Sequence, residues 1–238
     1  VWENEYRNEG TTYALTQHGF ARDMEFTLIL EHDDEVRYQL VSNEETLKKY
    51  PFPFCLEIGY RIYGKKIDVT WEVKNTGEKE MYFQIGAHPA FYWPDFNADT
   101  QNRGFFGFDK EEGLKYILIS EKGCADPSTE YSLELTDGLL PLDTHTFDKD
   151  ALIIENEQIH KVTLYTKEKK AYLSLHFHAP VVGLWSPPAK NAPFVCIEPW
   201  YGRCDRAHYT GEYKDKDWMQ HLQPEETFRG GYTIEIDE

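Results

Sequence analysis

Lys66-Ile67-Asp68-Val69-Thr70-Trp71-Glu72-Val73-Lys74 alternates without a break: Ile67, Val69, Trp71 and Val73 take one side, Lys66, Asp68, Thr70 and Glu72 the other. A period of two is that of a strand with one face buried and one in water. The preceding run, 55–63, ends at Gly64-Lys65, so the two form a hairpin across that pair. Asn75-Thr76-Gly77 turns the chain again and 81–85 continues extended. Upstream, 26–30 and 36–41 read as strands around His32-Asp33-Asp34, and residues 1–16 as an extended arm with a turn. Downstream, short strands recur at roughly ten-residue spacing between Gly, Pro, Asp and Asn, the mark of a sandwich or barrel rather than of βαβ units. The later strands are 172–177, 181–185, 194–197 and 227–236. Ser42-Asn43-Glu44-Glu45 opens the one good helix signature, with Ser42 and Glu45 as a capping box and Pro51 as the stop. A helical turn or two is expected over 216–222. No repeat or linker divides the chain, so the expectation is a single nearly all-β domain over 1–238.

Bulk properties narrow the function. A chain of 238 residues, 40% hydrophobic, can bury a sizeable core. A net charge of −17 with no block of Lys and Arg argues against nucleic acid or an anionic membrane as partner. No apolar run approaches membrane-spanning length and no signal-peptide pattern opens the chain. Cys55, Cys124, Cys196 and Cys204 show no CxxC spacing, although Cys196 and Cys204 could meet across a turn. They read as reduced thiols of a cytoplasmic protein rather than zinc ligands, which come in close-spaced pairs.

Candidate chemistry gathers where ionisable groups meet aromatic rings. Gly86-Ala87-His88-Pro89-Ala90-Phe91-Tyr92-Trp93-Pro94 carries an imidazole ahead of a proline, which disfavours helix and fixes His88 at the end of a strand. Rings beside a near-neutral acid or base suit a sugar, with its apolar C–H faces and rim of hydroxyls; the bland alternative is a core histidine under a tight corner. Cys196-Ile197-Glu198-Pro199-Trp200-Tyr201-Gly202 repeats the setting, with Glu198 at the end of an apolar strand near the sheet's edge. Partial burial without a cation makes such a carboxylate a competent base; satisfied by Arg203 or Arg206, it would be structural. His18 and Arg22 form a third place. On pattern alone Asp150 reads as a solvated turn residue. His176 and His178 share a strand face that a metal could use, although packing against aromatics is the commoner use; His145, His160, His208 and His221 read as surface residues. No GxSxG, P-loop, GxGxxG or HExxH occurs.

In order along the chain, HGFAR, GAHPAF after TWEVKN, FDKDALI, FVCIEPWYG and LQPEETFRGGYTIEI resemble the aldose 1-epimerase (galactose mutarotase) family, most closely its LacX-like branch. The resemblance spans Gln17 to Ile236. It implies a large antiparallel β-supersandwich (galactose mutarotase-like), truncated or unobserved at its N-terminus, because the family has strands upstream of the position of Val1. It implies a cofactor-independent isomerase without a metal that interconverts the α and β anomers of an aldohexose. By place in the motifs, His88 resembles the general acid, Glu198 the general base and Asp150 a carboxylate that holds sugar hydroxyls, against its pattern-only reading. His18 and Arg22 resemble a substrate-binding pair, and Trp185 a sugar-stacking position. Phe20 stands where the galactose mutarotases carry a second glycine, which leaves the sugar open. The expected arrangement places acid and base on opposite edges of one hexose, with room for the sugar between them, His88 cationic and Glu198 anionic. The alternatives are a non-catalytic carbohydrate-binding protein on the same scaffold and a hexose-6-phosphate 1-epimerase. The quaternary expectation is a monomer or homodimer.

Overall fold

A computed structural model describes residues 1–237, and the period-2 segments form the strands of two large antiparallel sheets. The nine-stranded sheet runs in the order Leu139–Asp143, Asn102–Phe108, Lys161–Tyr165, Ala171–Phe177, Thr227–Ile236, Lys66–Asn75, Phe54–Tyr63, Glu35–Val41, Thr27–Glu31. The seven-stranded sheet runs Ala125–Ser132, Lys115–Ile119, Leu152–Ile154, Val181–Trp185, Phe194–Tyr201, and then Ile85–Gly86, with Ala90–Tyr92 also pairing on Phe194–Tyr201. The hairpin across Gly64 pairs Tyr63 with Lys66 and Phe54 with Asn75, and Val69, Trp71 and Val73 are buried. Two large antiparallel sheets make the supersandwich that the motifs imply.

The main core lies between the sheets. Phe106, Val162, Leu164, Leu173 and Leu175 from the larger sheet pack with Leu152, Ile154, Val182, Leu184, Val195 and Ile197 from the smaller. Alternation then turns Ile153, Gly183, Cys196 and Glu198 to the smaller sheet's other face. There a second cluster of Ile117, Ala125, Ala151, Ile153 and Val181 takes Trp185, Trp200, Cys204 and Trp218 against it. Fully burying a Leu, Ile or Val side chain contributes about 1.5–3 kcal/mol, so both faces of the sheet hold it rigid.

Three local expectations are corrected. The helix spans Glu44–Lys49 and its cap is Asn43, whose Oδ1 accepts from the Glu45 and Thr46 amides while Thr46 Oγ1 accepts from the Asn43 amide. Asparagine caps as well as serine does, and Ser42 Oγ instead accepts from the Phe54 amide. Over 216–222 there is no helix: a 3-10 turn at Tyr213–Asp215 precedes a short strand, Gln220–Leu222, paired with Met81–Phe83. The strand expected over 194–197 runs on to Tyr201.

The 203–218 segment is tied down by charge. Arg203, almost wholly buried, donates to Glu155 Oε1 (2.5 Å) and to Asp217, whose carboxylate also takes Arg206 in a bidentate pair at 2.6 and 2.7 Å. Trp218 Nε1 donates to the same Glu155 oxygen (2.7 Å), and Lys216 meets Asp205 in a buried pair at 2.7 Å. Removing one member of a buried network leaves uncompensated charge and costs about 3–5 kcal/mol. Arg203→Ala is therefore expected to lower unfolding free energy by that amount, read as an earlier urea midpoint in tryptophan fluorescence.

Candidate functional site

Strand register brings the site together. Gly86 pairs with Trp200 and Ala90 with Cys196, which puts His88 directly across from Glu198. The ladder opens at this step for a covalent reason: neither Pro89 nor Pro199 has an N–H to donate. It is left with Ala87 donating to the Pro199 carbonyl (3.1 Å) and Ile197 to the Pro89 carbonyl (3.4 Å). Directly opposed residues have Cβ atoms about 4.5–5.5 Å apart, within side-chain reach. His88 Nδ1 lies 3.2 Å from Glu198 Oε1. On the far side of Glu198 its register partner is Gly183, whose own partner is Ile153.

The other expected residues converge here to different degrees. The His18 ring meets His88 edge-on at 5.4 Å between centroids, and Trp185 meets His88 likewise at 5.4 Å. His18 reaches its place through a tight turn with His18 and Gly19 both at positive φ (67° and 69°) and the Gly19 amide donating to Thr16 O (3.2 Å). Arg22 follows in the Ala21–Asp23 3-10 turn, and its charge bears on both imidazoles. Asp150 sits at φ 72°, its Oδ1 accepting from the Ala151 amide (2.7 Å), and its charge is felt at Glu198.

Several expectations fail on geometry. Glu198 is not at the strand's end near an edge: it is mid-strand, flanked on both sides, and 4% exposed. Arg203 and Arg206 do not satisfy it, being committed to Glu155 and Asp217. A hexose cannot lie between His88 and Glu198, which already touch; it would have to lie over the pair. His176 and His178 do not form a ligand pair, since His176 Nε2 meets Glu235 (3.0 Å) while the His178 ring packs tilted against His160. His145, His208 and His221 are exposed as expected. The four cysteines are free. Sequence reasoning missed Cys196 as a member of the site: its Sγ, a His88 ring nitrogen and a Glu198 oxygen lie within 4.8 Å of one another. The two-residue spacing to Glu198 on one strand was the available signal. Burial and Glu198 push the Cys196 thiol up to about 12, so beside Glu198 it stays a protonated thiol when no cation is bound.

The electrostatics are those of a desolvated pair. Burial pushes Glu198 up to about 8, helped by Asp150 and opposed by the Trp200 indole N–H. Burial and the Arg22 charge hold His88 below its ordinary value, and burial, His88 and Arg22 do the same to His18. Both members of the pair are thus driven toward their uncharged forms, and near neutral pH they hold one proton between them. A carboxyl raised from 4.5 to about 8 on folding binds its proton more tightly in the folded state. Stability from this source is fully present below about 4.5 and is lost as pH rises through about 8. At about 1.4 kcal/mol per unit, the wild type should lose on the order of 5 kcal/mol relative to Glu198→Gln across that window. Urea titrations at a series of pH values measure it, and pH-independent differences between the two proteins would refute it.

Comparisons with known proteins identify the family and the fold. The family model described as "Aldose 1-epimerase" matches residues 3–235. The chain is 29% identical over 228 residues to Protein LacX (plasmid) of Lactococcus lactis subsp. lactis, covering 94% of this chain and 76% of that protein. Among solved structures, a galactose mutarotase related enzyme from Lactobacillus acidophilus superimposes with a TM-score of 0.90 at 31% identity, covering 99% of this chain and 79% of the other. A galactose mutarotase-like protein from Lactobacillus casei also gives 0.90, at 27% identity with 99% and 81% covered. With the family model matching almost end to end, this chain belongs to the aldose 1-epimerase family.

Proposed function

We propose that this protein is a cofactor-independent aldose 1-epimerase that opens and recloses the ring of an unphosphorylated aldohexose, with Glu198 as base and His88 as acid. The contact at 3.2 Å between them carries the reading. Anomerisation takes a proton from the C1 hydroxyl and gives one to the ring oxygen, and both oxygens are bonded to the same carbon. The two groups that serve them must therefore be neighbours, and acid and base placed on opposite edges of the sugar would fail. A sugar lying over the pair meets both at once, with Trp185 and the His18 ring as walls and Asp150 and Arg22 as hydroxyl partners.

Proton bookkeeping supports the same assignment. Moving the shared proton along the Nδ1···Oε1 contact gives an imidazolium and a carboxylate, the form that works. Glu198 then takes the hydroxyl proton while the imidazolium, through the Nε2–H left free by Nδ1, gives its own to the ring oxygen. The C1–O bond to the ring breaks and the aldehyde forms. After rotation about C1–C2, closure on the other face reverses both transfers, and the pair has kept one proton throughout. Activity should accordingly be bell-shaped in pH, falling as His88 gains a second proton below its lowered value and as Glu198 loses its proton above about 8.

Against a phosphosugar substrate stands the scarcity of cations. Among the described residues Arg22 is the one basic side chain whose charge bears on His88, while Arg103, Arg203 and Arg206 are engaged elsewhere by carbonyls or carboxylates. Polarimetry on freshly dissolved glucose, galactose and glucose 6-phosphate tests substrate and reaction together. Wild type should accelerate the free sugars, and His88→Asn and Glu198→Gln should each fall about 10²–10⁴-fold with an unchanged fold. Calorimetric sugar binding without acceleration would instead mark a carbohydrate-binding protein.

A further inference from the structure

Trp200 follows Glu198 by two residues and so shares its face of the sheet. Its indole occupies room that two glycines leave. A Cβ at Gly183 would stand 2.5 Å from Cζ2 and Cη2 of the ring, and a Cβ at Gly86 would stand 2.6 Å from Cδ1. Neither glycine takes a positive φ, so no turn requires them. What they share is the ring. Gly86 is the register partner of Trp200 and Gly183 that of Glu198, so the indole reaches from its own row to the row of the carboxylate. The indole N–H, the ring's one donor, favours the charged form of Glu198 and so opposes the effect of burial.

We infer that Trp200 is a positioning residue for Glu198: seated in the slot left by Gly86 and Gly183, its indole shields the carboxyl from water while its N–H fixes the orientation. The inference deepens the reading of Glu198 as base and rests on it for its catalytic meaning. The other groups acting on Glu198 are His88 across the ladder, Cys196 on its own strand and the charge of Asp150, just before Leu152–Ile154 two strands away. Behind His88 stand His18 and Arg22, and Cys204 packs in the same cluster as Trp200. None of these changes in the variants below.

The two roles of the ring have opposite signs, which makes them separable. Trp200→Phe keeps an aromatic wall and loses the N–H, so Glu198 should titrate at or above its wild-type midpoint and kcat should fall about tenfold. Trp200→Ala admits water, and the midpoint should drop by a unit or more toward the ordinary carboxyl value. Gly183→Ala leaves Trp200 in the sequence but forces its ring aside, and should move the midpoint in the same direction as Trp200→Ala. The measurement is a ¹³C-carboxyl NMR titration on the full chain, with the Glu198 resonance identified by its loss in Glu198→Gln, alongside mutarotation against pH. A midpoint in Gly183→Ala and Trp200→Ala equal to wild type, with only thermal stability reduced, overturns the inference. If the midpoints move as expected but wild type does not accelerate mutarotation, the positioning of Glu198 stands and the epimerase reading falls.

Discussion

One cross-strand contact sets the terms for the rest of the site. His88 and Glu198 are 110 positions apart in sequence and are joined by register alone, in a sheet where the strand that carries Glu198 has neighbours on both sides. Register in such a sheet is fixed by the alternation of Val195 and Ile197 into the main core, because a slip of one residue would turn the carboxylate inward and a core side chain outward. The core therefore specifies the site indirectly. It decides which face Glu198 occupies, and Pro89 and Pro199 decide that the ladder opens beside it.

Placing this chemistry on the face turned away from the main core resolves a conflict between burial and access. On the proposed function, Glu198 needs loss of water to become a base near neutral pH, yet a sugar has to reach it. The second cluster, with Ile153 beneath and Trp185 and Trp200 alongside, removes water from the carboxyl. His88, whose side chain is 41% exposed, remains the reachable member. The abundant acidic residues of the chain take little part in this. Arginines that might have quenched Glu198 are held at Glu155 and Asp217 by a network that also pins the 203–218 segment.

Much of this was legible in the residues, and the part that was not has a common cause. Alternation in 66–74 and the regular spacing of turn residues are local patterns, and they gave the strands and their buried faces. His88 and Glu198 stood out because each precedes a proline amid aromatic rings, which is also local. Their separation was not local, and the expectation of a sugar's width between them had only the size of the ligand to go on. The solvated-turn reading of Asp150 was half right: it does hold a left-handed turn conformation, but its charge is felt at Glu198. Cys196 and Trp200 escaped notice because strand alternation marks a face without saying what lies across it. Gly86 and Gly183 were the clue for Trp200, since a glycine inside a strand often marks the close approach of another group.

Acid and base are best regarded as properties of the pair rather than of either residue. With Glu198 raised by burial and His88 lowered, the neutral form and the ion-pair form contain the same atoms and the same proton, and differ by one transfer along a contact at 3.2 Å. The resting pair thus avoids the cost of separated charge in a desolvated site, while the working form is one proton movement away. In the proposed reaction, a sugar placing its two oxygens over the pair would supply hydrogen-bond partners to both charges at once and so favour the charged tautomer where it is needed. Differential stabilisation of that kind is what distinguishes a catalytic site from a binding site. It requires the two groups to be close enough to exchange a proton and exposed enough to exchange it with something else, and the open ladder step at Pro89 and Pro199 satisfies both conditions.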